Sequence, residues 1–419
     1  MNKSVGTTRI ERPADRHILF FDTVRNLAML SVVFYHAVAA YSTVTPHWSV
    51  HDGSSAIADM VREFFDVYMM PAFFFLAGYF TLPSLSRQGV WKFLTGKFKR
   101  IGIPWVLAIF IIIPISIYFT QVKYKPDLVH QSFWHYWMTY LSDFGTLRIG
   151  ILGMNRTNQM HFWFLSLLLA FFLVFLLFHV IKERIDGSSG TSGIGEPASQ
   201  GSILWVLLIT AALTSLASFV VLLLTPYLSW LTVDLLLQFQ PINLALYIAS
   251  FYLGIFAYTR RWFAGNEFPQ RLSLWIPVGI LLTLGFLLVG RDVFIHHQDS
   301  HQLSPGLLFA FSFVRSSLCF ALLLIFIAYA RKFWSRPSPL NQKLSENSYN
   351  IYLVHIFFVV FLQDVLMIWP GGPPMAKAAI VFLVVLPISY GISRLIDRFP
   401  RTIVAGFTVL FILLAIFVR

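Results

Sequence analysis

Charge is scarce in this chain. Of its 419 residues only 12% are Asp, Glu, Lys or Arg, against 57% hydrophobic ones, too few polar groups to coat a water-soluble protein of this size. Cysteine is scarcer still: Cys319 stands alone in an apolar run, which rules out an internal disulfide, a CxxC redox pair and a thiolate metal site. No repeat of fixed period runs through the sequence and its halves do not match, which argues against a solenoid and against an inverted-repeat transporter. The net charge of +12 comes without a basic stripe or a nucleic-acid module. It therefore reads as a topology signal and an attraction to anionic lipid or an anionic cosubstrate, with no nucleic acid as partner.

What the chain has is long apolar runs. About 20 apolar residues at about 1.5 Å each cross a hydrocarbon core of about 30 Å. Ten stretches qualify: 19–41, 64–82, 103–120, 162–181, 203–225, 242–258, 273–290, 306–330, 349–369 and 378–396. An eleventh, 402–418, is short and crosses thin, tilts or lies re-entrant. The fold class expected is thus an all-α polytopic membrane protein: a polar tail over 1–18, a membrane domain over 19–400 and an extra C-terminal apolar helix. Forty-three Phe and twelve Trp fit lipid-facing helices and membrane interfaces.

Of the 31 Lys and Arg, 21 fall in segments on the N-terminal side of such a membrane and seven on the other, which predicts a cytoplasmic N-terminus. The "AVA" at 37–39 has the small residues of a signal-cleavage site, but Asp22 and Arg25 interrupt the apolar core before it, so the segment reads as a retained first helix. The Gly/Ser-rich run "DGSSGTSGIGEPASQGS", 186–202, is expected to be a flexible cytoplasmic linker. In the longest external segment, "HQSFWHYWMTYL" is expected to form an interfacial helix.

Ionisable residues inside such spans are costly, by at least about 2.5–3.5 kcal/mol each, and so mark partners or a wet cavity. Arg25 and His36 are eleven residues apart, which on a helix returns to within about 20° of the same face and separates them by about 16 Å. Asp22, one turn before Arg25, can pair with it. Without further context the pair reads equally well as a neutralised arginine and an interfacial histidine. Other spans add weight: Arg315 lies mid-span, His355 two turns into another, and Glu63, Asp66 and His161 at the same external level as His36. On the cytoplasmic side "KFLTGKFKRIGIP" gathers Lys92, Lys97, Lys99 and Arg100, a cluster able to hold phosphates. His297 and His301 in "HHQDSH" have a metal-ligand spacing but no evident third ligand, so no metal is expected.

These residues resemble the acyltransferase 3 family of integral membrane acyltransferases. The family's arginine and histidine, ten residues between them in the first helix, are matched by "DTVRNLAMLSVVFYH". The blocks "MMPAFFFLAGYF" (69–80), "HFWFLSLL" (161–168) and "ENSYNIYLVH" (346–355) agree in order. The features "GYFTLPSL", "RIGIP" and "TPHWSVHD" are most similar to the branch that succinylates osmoregulated periplasmic glucans. The family's second basic motif pairs two arginines three apart; here Lys97 precedes Arg100, a point cation in place of a planar fork.

The resemblance implies transfer of an acyl group, acetyl or succinyl, from cytoplasmic acyl-CoA to a hydroxyl of an extracytoplasmic glycan or lipid-linked glycan, in the bacterial inner membrane. It implies His36 as general base, with Asp66 or Glu63 orienting it and Arg25 or Arg315 steadying the developing oxyanion. Lys97 and Arg100 would hold the phosphates of the donor, and Arg25, Arg315, Tyr352 and His355 would line its path. The rival from another class is a secondary transporter or exporter running its substrate past the same Arg, His and Asp groups.

Overall fold

In the computed structural model the described residues are 19–45, 48–122, 132–142, 149–151, 159–186, 195–233, 236–265, 268–296, 302–334, 336 and 338–399. The N-terminal tail, residues 187–194 of the Gly/Ser linker, His297, His301 and the apolar stretch 402–418 lie outside them. Among the described residues ten helices are long and apolar enough to cross a membrane. In chain order the spans are Leu19–Tyr41, Ala56–Gln88, Val90–Tyr118, Met160–Ile185, Gln200–Leu224, Pro241–Thr259, Leu272–Ile295, Pro305–Phe333, Pro339–Leu366 and Pro374–Arg398. Each contains or overlaps one of the ten expected stretches, and the protein is an all-α polytopic membrane protein. Helices prevail because hydrocarbon offers backbone groups no partner, so each segment must satisfy its own.

Several helices start beyond the hydropathy boundary because their caps lie there. Ser304 and Ser338 accept hydrogen bonds from Leu307 N and Asn341 N, each followed by a proline at the first helical position, where its missing N–H costs nothing. The ninth span therefore begins ten residues before the apolar run, and its polar first turns, "PLNQKLSENS", are helical.

Spans one, two and eight form the core, each with 67% of its apolar window buried, against 17% in the seventh and 22% in the tenth. Spans nine and ten pack together and against the first; the sixth lies along the second; the eighth joins the fifth and seventh to the centre. A small antiparallel sheet, β1 (Ile149–Ile151), β2 (Leu231–Val233) and β3 (Leu237–Phe239), pairs Gly150 with Thr232 and Thr232 with Gln238. The expected helix over "HQSFWHYWMTYL" is present as Phe133–Ser142.

The third span is not a plain α-helix. Pro104 and Pro114 lack the N–H groups that would bond the carbonyls of Arg100 and Phe110 four residues back, and wide π turns occupy Phe98–Gly102 and Ala108–Ile112. Each of these carbonyls takes a side-chain donor instead. The Tyr349 hydroxyl donates to the Arg100 carbonyl at 2.5 Å, and Trp137 Nε1 donates to that of Phe110 at 2.9 Å.

Spans two and six touch backbone to backbone through glycine. A Cβ at Gly78 would sit 1.9 Å from the Phe251 carbonyl oxygen, and one at Gly254 would sit 2.1 Å from that of Phe75. Close approach of this kind maximises dispersion contact, the main attraction left between helices in lipid. Gly254→Val should therefore push the helices apart at a cost of at least about 1–3 kcal/mol. The expected outcome is a lower midpoint for thermal unfolding in detergent, whereas Gly201→Val, where a Cβ meets nothing within 4 Å, should leave that midpoint nearly unchanged.

Candidate active site

Spans one and nine run parallel and are stitched by polar contacts along their length. Asn26 Nδ2 donates to the carbonyl and side-chain oxygens of Asn341 at 2.8 and 2.6 Å, and Asn341 Nδ2 donates to Thr23 Oγ1 at 2.9 Å. Arg25 Nη1 donates to Ser345 Oγ at 2.8 Å and to Asp22 Oδ1 at 3.2 Å, and Ser345 Oγ donates to Asp22 at 2.7 Å. Farther along, His36 Nδ1 meets His355 Nε2 at 2.9 Å. Arg25 and His36 thus face the same neighbour, as their spacing requires, and Ser345 and His355, ten residues apart, keep step with them at about 15 Å of rise. At the far end Gln363 Nε2 donates to the carbonyls of His36 and Ala37 at 2.9 and 3.1 Å.

The hydrogen bonds fix which histidine nitrogens carry protons. His355 Nδ1 lies 2.7 Å from the Tyr352 carbonyl and 3.2 Å from that of Ile351, and carbonyls only accept. His355 Nδ1 is therefore protonated, and in the neutral ring its Nε2 accepts. His36 must then donate through Nδ1, which leaves the lone pair on His36 Nε2. His36 is half-buried and His355 fully buried, so the accessible ring of the pair presents a base. The Trp48 indole lies parallel to His36, centroids 5.5 Å apart at 13°, and its Nε1 is held by Gln363 Oε1 at 2.8 Å.

His161 completes a triangle of imidazoles, its centroid 5.4 Å from that of His355 and 6.4 Å from that of His36. It stands on a short 3-10 turn, Met160–Phe162, entered by Met160 at φ 48°, a left-handed conformation that a methionine adopts only under constraint. The constraint is visible. Gln159 N donates to Gln238 Oε1 of β3 at 2.6 Å, Gln159 Oε1 accepts from Ser166 Oγ at 2.8 Å, and the Tyr352 hydroxyl donates to the His161 carbonyl.

The carboxylates expected to orient His36 do something else. Asp66 Oδ2 accepts from Arg315 Nη2 at 3.1 Å and from Asn243 Nδ2 at 3.3 Å, and Arg315 also donates to Asn243 Oδ1. Glu63 accepts from the Tyr227 hydroxyl and lies 3.6 Å from Arg62 Nη1. Tyr227 lies between spans five and six; burial, then the Glu63 carboxyl beside it, push its phenol well above the ordinary range and keep it a donor. Both acids are held by the donors around them, as a buried carboxylate requires, and the side chain hydrogen-bonded to His36 is instead His355. Arg315 is likewise locked to Asp66 and is no part of the basic group around Arg100. Arg62, in sequence a loop cation, donates to the Tyr35 hydroxyl beside His36 and lies 4.4 Å over that ring.

At the Arg25 end the basic residues do gather. Arg100 is within electrostatic reach of both Arg25 and Lys97, and its guanidinium lies 5.7 Å from the Tyr349 ring centre. Lys97 Nζ lies 4.2 Å over Phe172 and 5.1 Å over Phe93. The π turn and the Tyr349 bond place Arg100 here, on the exposed rim. Arg25 is one-third exposed at the same end. One pole of the spans one and nine pairing is thus cationic and open, and the other is an imidazole cluster.

Glucans biosynthesis protein C of Escherichia coli (strain K12) is 26% identical over 185 residues, 43% of this chain and 43% of that protein. The same-named protein of E. coli O6:K15:H31 (strain 536 / UPEC) is 25% identical over 183 residues, with the same coverage of each. The chain therefore spans less than half the length of the curated relatives it matches. No solved structure matches it. The acyltransferase domain family, by contrast, matches residues 18–394, a range that takes in the arginine pole, the three histidines and all but the last few residues of the tenth span, and the chain belongs to that acyltransferase 3 family.

Proposed function

We propose that the protein transfers an acyl group, acetyl or succinyl, from cytoplasmic acyl-CoA to a hydroxyl of an extracytoplasmic glycan or lipid-linked glycan, in the bacterial cytoplasmic membrane. The observation that carries this reading is the alignment of a cationic pole and a basic imidazole on one pair of parallel helices, about 15 Å apart. Family membership and the glucan-related relatives support the reaction class and the acceptor class. The excess of Lys and Arg on the N-terminal side supports a cytoplasmic Arg25 end.

In this reading the phosphates of coenzyme A rest on Arg100, Lys97 and Arg25, and the uncharged pantetheine arm runs past Arg25 toward His36. His36 Nε2 takes the proton of the acceptor hydroxyl as its oxygen bonds to the thioester carbonyl carbon. Collapse of the tetrahedral adduct breaks the C–S bond, and the thiolate recovers the proton from His36. The products are the ester and free coenzyme A. His355 accepts from His36 Nδ1 throughout, holding the tautomer and the ring as a positioning residue, and Gln363 and Trp48 confine the opposite side. Arg315, Asp66 and Asn243 anchor spans two, six and eight around the site.

Purified protein in proteoliposomes, given labelled acyl-CoA on the Arg25 side and a β-glucan oligosaccharide on the other, should label the oligosaccharide. An exporter would move the glycan and leave acyl-CoA intact. His36→Ala should lower transfer by about 10²–10⁴-fold with insertion and thermal midpoint unchanged; full activity would remove His36 from the mechanism. Arg100→Ala should raise KM for acyl-CoA about tenfold, the order of one charge-assisted contact, and leave the acceptor KM within about twofold. The reverse pattern would put the donor elsewhere.

A further inference from the structure

The mechanism above uses two of the three imidazoles. The third, His161, is 8% exposed, and neither of its ring nitrogens makes a hydrogen bond of good geometry, although the Leu353 backbone lies near enough to act on the ring. Its ring packs among Phe162, Tyr352, His355 and His36 at centroid distances of 4.0, 5.4, 5.4 and 6.4 Å. A neutral imidazole always carries one N–H and one lone pair, and burying both without well-formed bonds opposes folding. A phenylalanine would fill the same space without that cost. The backbone beneath is nevertheless fixed from both sides: Tyr352 donates to the His161 carbonyl, and the sheet holds Gln159 through Gln238. The position is thus built to keep a polar ring rigid, next to the base, with no well-formed hydrogen bond on either ring nitrogen.

We infer that His161 is a catalytic residue whose ring N–H holds the thioester carbonyl oxygen and stabilises the oxyanion formed on it. The inference rests on the acyl-CoA reading above and adds a second group to it. As the acceptor oxygen, losing its proton to His36 Nε2, bonds to the carbonyl carbon, the C=O π pair moves onto oxygen, where the His161 N–H meets it. When the C=O bond reforms the pair returns, the C–S bond breaks, and the His36 proton goes to sulfur. His161 neither gains nor loses a proton. A neutral imidazole suits the task, since a donor already in place at a water-poor site stabilises developing charge without reorganisation.

The test compares wild type with His161→Phe and His161→Gln in proteoliposomes, following kcat, KM for acyl-CoA, and affinity for coenzyme A and for a trifluoromethyl-ketone analogue of acyl-CoA, whose hydrated carbonyl mimics the tetrahedral adduct. His161→Phe should lower kcat about 100-fold, the order seen when one oxyanion donor is removed. It should weaken the ketone analogue by a similar factor while KM and coenzyme A affinity stay within about twofold. His161→Gln, which restores an N–H, should recover at least about a tenth of the wild-type rate. A kcat for the Phe variant within about threefold of wild type, or equal weakening of coenzyme A and the ketone, overturns the inference and leaves the acyl-CoA reading standing. If the Phe variant is not recovered folded, His161→Gln against His161→Leu decides, the inference requiring the amide to be faster. A wild type that consumes no acyl-CoA overturns the parent reading and this inference with it.

Discussion

A polar group in hydrocarbon must find a partner, and the pairing of spans one and nine is how this chain meets that demand. Asn26, Arg25, Ser345, Asp22, His36, His355 and Gln363 would each be a liability on an isolated helix in lipid. Set side by side in parallel, the two helices satisfy them in sequence, from Asn341 at one end to Gln363 at the other. A slip of one residue would rotate the faces by about 100° and break every contact at once. The register of this pair is therefore tightly specified, and it determines the distance between the cationic pole and the imidazole pole.

The remaining elements serve that pair. The second span is clamped to the sixth by glycine and carries Glu63 and Asp66, whose bonds to Tyr227, Arg315 and Asn243 tie spans six and eight and the loop before the sixth into one body. Buried ion pairs of this kind contribute little net stability, because desolvation offsets attraction; what they contribute here is a fixed arrangement of helices around His36. The third span is broken by two prolines, and the backbone oxygens they release are met by Tyr349 and Trp137. The cationic rim around Arg100 is thereby fastened to the ninth span, the same helix that supplies His355.

The ten spans of the described residues and the shared face of Arg25 and His36 were legible in the sequence, because both follow from hydropathy and helical period. The pairing of Asp22 with Arg25 was legible for the same reason. The partner of His36 was not. Glu63 and Asp66 stand at the right height, but height along a span says nothing of which helices adjoin, and their neighbours Tyr227 and Arg315 claim them first. His355 reads in sequence as lining the donor path; only the parallel packing of spans one and nine brings its ring onto His36. Ser345 escaped notice because it lies in a polar stretch that hydropathy leaves outside the membrane, although Ser338 and Pro339 mark the helix start in plain sequence. Gln363, a lone amide in "FFVVFLQDVL", was the signal of a buried contact, and Arg62, counted with the loop cations, points inward to Tyr35.

The central claim is that His355 fixes His36 with its proton on Nδ1 and its lone pair on Nε2. Nitrogen NMR of protein labelled with ¹⁵N only in histidine, with His36→Asn and His355→Asn used to assign the signals, reads this directly. Near neutral pH the account predicts a protonated Nδ1 and a bare Nε2 for His36, and a shift of the His36 signals when His355 is replaced. A His36 protonated on Nε2, or signals unmoved by the loss of His355, would contradict it.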